Sequence, residues 1–311
     1  SLLGWKSDQY IFSIAPCNGL HMMHSLITPV LIPGLLCTEE LFHDQLQALS
    51  DMAAGNQAIN EPKIADTLSH DSIEGMAIAA LAATSGSMVA IGLSMGGHVA
   101  LEMARLAPDR VPGLVLLSTS HKSDTAEKRQ QRLATIKMAE TDKFHGVTRH
   151  LLGSCLSPAA LADELLVTRV LQMAQDVGRQ VFISQQTAIL NRREQSDTLA
   201  TYRGEVMVLC GLLDELTPPS LSREMAALST HADLHLLPET GHLSSLEAPE
   251  AVIEVVIKLL RRVCVSWREI LNIQLGEDLF APFSPKVGLY DALSWDARTD
   301  TAEAAVYEEQ I

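Results

Sequence analysis

The sequence predicts an α/β fold: a mostly parallel central sheet flanked by helices, with a helical insertion between two of its strands. Three observations predict it. Compact apolar runs recur from Thr28 to about Cys264, helical stretches with one apolar face alternate with them, and a single long interval between Ser118 and Glu205 shows helical pattern only. Continuous apolar strands separated by amphipathic helices indicate parallel strands buried on both faces and joined by crossovers.

The elements follow in chain order. Pro29-Val30-Leu31-Ile32, stopped by Pro33-Gly34, reads as a buried strand. Thr38 is a cap for a helix holding Leu41, Leu46 and Leu49. Lys63-Ile64-Ala65 is a weaker strand. Asp71 or Ser72 caps a helix whose stripe is Ile73, Met76, Ala77, Ala80 and Leu81, the i, i+3, i+4, i+7, i+8 pattern of a helix packed on a sheet. Met88-Val89-Ala90-Ile91 is the next strand, followed by a helix from about Gly96 that ends before Pro108. Leu114-Val115-Leu116-Leu117, Val206-Met207-Val208-Leu209 and Leu234-His235-Leu236-Leu237 are further strands. The last core helix sets Val252, Val255, Val256, Leu259, Leu260 and Val263 on one face.

The insertion reads as helices around 124–141, 143–152, 158–177 and 178–193, punctuated by Asp142, Gly153, Pro158 and Gly178. A helical segment there is placed to cover a ligand site. The expected division is therefore an N-terminal extension at 1–24, a core at 25–120 and 203–264, a helical cap at 121–202, and an acidic C-terminal tail at 265–311. The tail carries nine acids, three bases and two of the three tryptophans, Trp267 and Trp295.

With 311 residues, 47% hydrophobic and 20% charged, the chain has enough apolar material for a large core, and wholesale disorder is excluded. The formal charge of −15 weighs against nucleic acid and against an anionic membrane surface. Residues 1–24 lack the pattern of a secretory signal, and no apolar run reaches the length of a membrane span. Cys17, Cys37, Cys155, Cys210 and Cys264 are odd in number and widely spaced, without a C-x-x-C. That argues against a disulfide framework or a cysteine-based metal site and makes a reducing, cytoplasmic setting the expectation.

The residues with chemical meaning begin with Gly92-Leu93-Ser94-Met95-Gly96-Gly97, a G-x-S-x-G between a strand and a helix. In that context the serine sits on a tight turn at a helix N-terminus, hydroxyl outward, with glycines where side chains would collide. A serine hydroxyl needs a base. Of His231, His235 and His242, the last follows Gly241 in a loop after a strand and is the candidate base. His98, four residues after Ser94, is expected to line or support the pocket. The base needs an orienting carboxylate. Asp214, in the loop after the 206–209 strand, fills that role ahead of Glu215 and Asp124. The order Ser94, Asp214, His242 fits one sheet edge. Backbone N–H groups of Leu35, in Pro33-Gly34-Leu35-Leu36, and of Met95 are the candidate oxyanion donors.

These motifs, together with Gly211-Leu212-Leu213-Asp214 and Gly241-His242, resemble the α/β-hydrolase family from about Leu26 to Cys264, and within it small serine esterases, pimeloyl-acyl-carrier methyl esterases and enol-lactonases. The resemblance implies an eight-stranded, mostly parallel sheet, a helical cap, no cofactor or metal, and hydrolysis of a small-molecule ester or lactone. Two departures stand out: Pro33-Gly34 replaces the His-Gly often found in the oxyanion loop, and a start at Met22 or Met23 would leave little room for the family's first antiparallel hairpin, giving six or seven strands. Met138, Phe144, Leu151, Leu152, Met173 and Phe182 of the insertion stand at a helical spacing that more often marks core than pocket; where some of them line the pocket, the acyl group is small to medium and mostly apolar. The same triad types also serve thioester, amide or C–C cleavage and acyl transfer. A non-catalytic binding protein is the remaining class.

Overall fold

The computed structural model describes residues 26–55, 58–141, 152–271 and 294–295, with side chains described through 264. The expected extension at 1–24, the helix at 143–152 except its last residue, and most of the tail at 265–311 lie outside them.

Six parallel strands form the sheet: β1 (Thr28–Ile32), β2 (Lys63–Ile64), β3 (Met88–Leu93), β4 (Gly113–Leu117), β5 (Glu205–Gly211) and β6 (Ala232–Leu237). A two-residue strand, β7 (Ser294–Trp295), pairs antiparallel with β6, and the order is β2-β1-β3-β4-β5-β6-β7. Each run that the apolar pattern singled out is a strand, most extended by one to three residues.

The helices are α1 (His43–Ala54), α2 (Ile73–Ala82), α3 (Met95–Leu106), α4 (Ala126–Glu140), α5 (Pro158–Ala162), α6 (Glu164–Leu190), α7 (Ser196–Thr201), α8 (Pro219–Leu228), α9 (Ser244–Glu247) and α10 (Pro249–Leu271). Alternation along the strands feeds two cores. Leu31, Ile91, Val115 and Met207 face one side with α1 and α10, while Val30, Ala90, Leu114 and Val206 face the other with α2, α3 and α8. The apolar face expected of the last helix is buried throughout, and the helix backbone continues past Cys264 to Leu271.

Local chemistry explains the boundaries. Ser72, not Asp71, caps α2, its hydroxyl accepting from Gly75 N–H. Thr38 caps a short 3₁₀ helix, Glu39–Phe42, that runs directly into α1. Gly178 has φ 73°, and at this left-handed residue α6 kinks between the two stretches that the sequence separates there. Between β4 and β5 the described residues hold only helices, α4 to α7.

The strand order positions everything that follows. From β1 the chain crosses to β2 on one side, and β3 then lies on β1's other side. The loops leaving β1 and β3 therefore diverge and open a crevice at the carboxyl edge of the sheet, where open α/β sheets bind ligands.

Candidate active site

Ser94 lies at the junction of β3 and α3 with φ 56° and ψ −114°. A non-glycine residue held there costs about 1–3 kcal/mol and persists only when its surroundings dictate it. They do: Ser94 N–H donates to Leu117 O (2.9 Å), while Ser94 O accepts from Gly97 N–H (3.0 Å) and from the Thr119 hydroxyl (2.7 Å). The glycines of the motif are needed for close approach. A Cβ on Gly92 would strike the Gly96 carbonyl, and one on Gly96 would strike the Ile32 carbonyl. The turn, β1 and α3 pack backbone to backbone as a result.

The loop after β1 passes over this turn. A Cβ added to Gly34 would sit 3.4 Å from Ser94 Cβ and 3.2 Å from Leu93 O. The expected oxyanion donors are thus carried on the two segments that meet at Ser94. Met95 N–H is the first of α3 and has no intrahelical acceptor.

Asp214 follows β5 and His242 follows β6, both in loops at the same edge. His242 Nδ1 lies 2.9 Å from Asp214 Oδ2 and 3.0 Å from Oδ1. A carboxylate can only accept, so Nδ1 is the ring nitrogen that donates to Asp214. Both residues are buried, at 3% and 4% exposure. Asp214 also accepts from Leu216 N–H (3.0 Å), Thr217 N–H (2.9 Å) and the Thr217 hydroxyl (2.7 Å). Burial pushes the Asp214 carboxyl up, but its bond and charge interaction with His242, with the Thr217 donors, outweigh that and hold it below its ordinary value. Nearby, burial first and then the Asp214 charge push the Cys210 thiol up to about 12, so it stays neutral beside the carboxylate.

The competing acids fall elsewhere. Glu215 is exposed. The Asp124 carboxylate is enclosed between two guanidinium groups, 2.8 Å from Arg132 Nε and 2.8 Å from Arg192 Nη2. His98 is buried in α3. Burial, then the charges of Arg192 and Arg132, hold it well below the usual imidazole value, so it remains neutral. His231 is exposed and His235 lies within β6. The structure thus joins Asp214 to His242 directly and sets Ser94 on the same edge, beyond the end of β3. Among the described residues Ser94 and His242 share no hydrogen bond.

One residue at the site was not anticipated. Glu247, in α9, accepts from Gly241 N–H (3.0 Å), Leu243 N–H (3.1 Å) and Ser157 N–H (2.9 Å). It grips the backbone on both sides of His242 and ties that loop to the start of α5. His242 N–H in turn donates to Cys155 O (2.8 Å). Nothing local in the sequence reveals this, because Ser157 is 90 residues away. Glu247→Ala leaves three N–H groups without their charged acceptor. It is expected to lower stability by about 3 kcal/mol; urea unfolding of the two proteins checks it.

A cavity of about 780 Å³ opens between the loops after β1 and β2 and helix α6, beside Pro33. Its charged lining is Glu39, Glu40, Asp66 and Asp176 against Arg169, and Met173 is among its apolar walls. Of the other apolar residues expected in the insertion, Leu152 and Phe182 are buried and Met138 is exposed, while Phe144 and Leu151 lie outside the described residues. No helix among the described residues is long and apolar enough to cross a membrane.

A parallel sheet with a strained serine at the β3–α3 turn and an Asp–His pair at the same edge defines an α/β protein of hydrolase type. The chain belongs to the alpha/beta hydrolase family, whose pattern matches residues 31–255. Among curated proteins it is similar to the dihydrolipoyllysine-residue acetyltransferase component of the acetoin cleaving system of Pseudomonas putida, 27% identical over 174 residues, 55% of this chain. That match spans 45% of the relative's length. Among solved structures it is similar to a thermophilic esterase from Thermogutta terrifontis (TM-score 0.68, 22% identity, 76% of this chain and 90% of that one). It is also similar to the enol-lactonase from Burkholderia xenovorans LB400 (TM-score 0.62, 18% identity, 76% and 92%).

Proposed function

We propose that this chain is a serine hydrolase that cleaves a carboxylic ester or lactone with a small to medium, mostly apolar acyl group, through Ser94, His242 and Asp214 and an acyl-enzyme. The observation that carries the reading is the buried Asp214–His242 pair, with His242 Nδ1 2.9–3.0 Å from the carboxylate oxygens, at the sheet edge that holds Ser94. Ser94 attacks the acyl carbonyl. His242 takes its proton at Nε2, and Asp214 stabilises the imidazolium without itself being protonated. The N–H groups of Leu35 and Met95 receive the oxyanion. His242 returns the proton to the leaving oxygen, then activates the water that releases the acid. The helical insertion is the cap, and no cofactor or metal enters any step. The esterase and enol-lactonase neighbours support ester-type substrates by likeness of fold.

The test is a series of p-nitrophenyl esters of increasing acyl length, run on the wild type and on Ser94→Ala. The reading expects turnover in the wild type only, with a maximum at short to medium chains. Equal rates in the two proteins would end it.

The cavity beside the oxyanion loop adds a charge preference. Four carboxylates against one guanidinium disfavour an anionic group there. A half-ester with a free carboxylate is expected to show kcat/KM at least about 10-fold below its neutral diester, the gap narrowing as salt screens the charges. Equal values at low salt would exclude this cavity from the substrate path.

A further inference from the structure

We propose that Gln185, on the helical insertion, is a positioning residue for the oxyanion loop, so that the insertion holds the hole in its working shape. The inference rests on the hydrolase reading above. Gln185 is fully buried on the second half of α6. Its Oε1 accepts from Leu36 N–H at 3.0 Å, and its Nε2 donates to Thr67 O at 3.1 Å. These partners lie 149 and 118 residues away in sequence, in the loops after β1 and β2. One donor and one acceptor are each matched, which fixes the amide in a single orientation.

What the amide holds is a backbone that would not choose this shape unaided. Leu36 has φ 60°, in the left-handed region that disfavours side chains such as leucine. The residue is held there twice. Its N–H is taken by Gln185, and its side chain packs with Ala139 of α4 and Ala174, Val177 and Phe182 of α6. Leu35, one residue earlier, touches the same apolar cluster. The peptide carrying Leu36 N–H adjoins the peptide carrying Leu35 N–H. Fixing the first therefore limits how the second can rotate above Ser94, against which Gly34 already lies. Free of the amide, Leu36 can relax to negative φ, and the Leu35 donor turns with it. The cost falls on the transition state, where the oxyanion exists, and not on ground-state binding.

The experiment uses the full chain with p-nitrophenyl butyrate as substrate and a trifluoromethyl ketone as mimic of the tetrahedral adduct. Gln185→Met removes both bonds at similar length. It is expected to lower kcat by roughly 10- to 100-fold with KM within about threefold, and to weaken ketone binding by the same factor as kcat. Rates are normalised to the fraction of Ser94 titrated by a fluorophosphonate, which removes any loss of folded protein. Gln185→Glu supplies a second readout. Protonated, its carboxyl offers the same acceptor and donor as the amide; ionised, it cannot donate to Thr67 O. Its kcat relative to wild type should rise as pH falls. Unchanged kcat and ketone affinity in Gln185→Met, a loss confined to KM, or a pH-independent Gln185→Glu ratio would each overturn the proposal. A wild-type chain that neither hydrolyses the ester nor binds the ketone would end the hydrolase reading and this inference together, whereas an active wild type matched by Gln185→Met ends this inference alone.

Discussion

Replacing Ser94 by alanine is expected to lower ester turnover by about 10⁶-fold while leaving the fold and KM-level binding in place. The substitution deletes one hydroxyl from a residue whose backbone is fixed by Leu117, Gly97 and Thr119, none of which depends on that hydroxyl. The strained turn is therefore retained, and alanine accepts it at a cost similar to serine's. What disappears is the oxygen that the proposed mechanism bonds to the acyl group. Residual catalysis by the oxyanion donors and binding alone sets the floor. Stopped assays on purified Ser94→Ala, with thermal unfolding in parallel, check the prediction. A variant that keeps even a tenth of wild-type turnover would show that another nucleophile, or bound water, does the work.

The second large effect concerns Asp214. Asp214→Asn keeps size and most local bonds, but its amide can present an N–H to His242 Nδ1. The imidazole would then carry its proton on Nε2, the nitrogen proposed to accept from Ser94. A loss of about 10⁴-fold in kcat is expected with a folded protein. Unchanged activity would transfer the role to Glu215 or Asp124, although the first is exposed and the second is engaged by Arg132 and Arg192. A stability signature accompanies the loss. The folded-state carboxyl of Asp214 is held below its ordinary value, so its contribution is present above the unfolded value near 3.9 and is lost as pH falls through the folded one. The difference in unfolding free energy between wild type and Asp214→Asn should accordingly be largest near neutrality and shrink below about pH 4. A difference that grows on acidification would contradict the assigned charge state.

Much of the scaffold could be read from the sequence because its signals are local. The apolar runs at 88–91 and 114–117 are strands because both faces are covered, and the G-x-S-x-G after Ile91 requires a tight turn wherever a helix follows. Asp214 stood out by its place after a strand, and its burial beside His242 separates it from Glu215, which adjoins it in sequence but points to solvent. The unread parts depend on contacts between distant segments. Glu247 looks like one more acid near a helix start, and only the fold brings Ser157 to it. Gln185 looks like a polar position on an amphipathic helix, yet it is fully buried between two loops from the other end of the chain. The 3₁₀ segment at 39–42 is likewise indistinguishable in sequence from the start of the following helix, since Thr38 caps either form equally well.

In the proposed mechanism the Ser94 hydroxyl, the His242 imidazole and the two backbone donors surround one reacting carbonyl. A crystal structure of the chain inactivated by a fluorophosphonate would reveal that arrangement, because the phosphonyl group mimics the tetrahedral adduct. The expected adduct has phosphorus bonded to Ser94 Oγ, its phosphonyl oxygen about 2.7–3.1 Å from both Leu35 N and Met95 N, and His242 Nε2 within about 3.2 Å of Ser94 Oγ. An adduct on any other residue, or a phosphonyl oxygen turned away from both N–H groups, would contradict it.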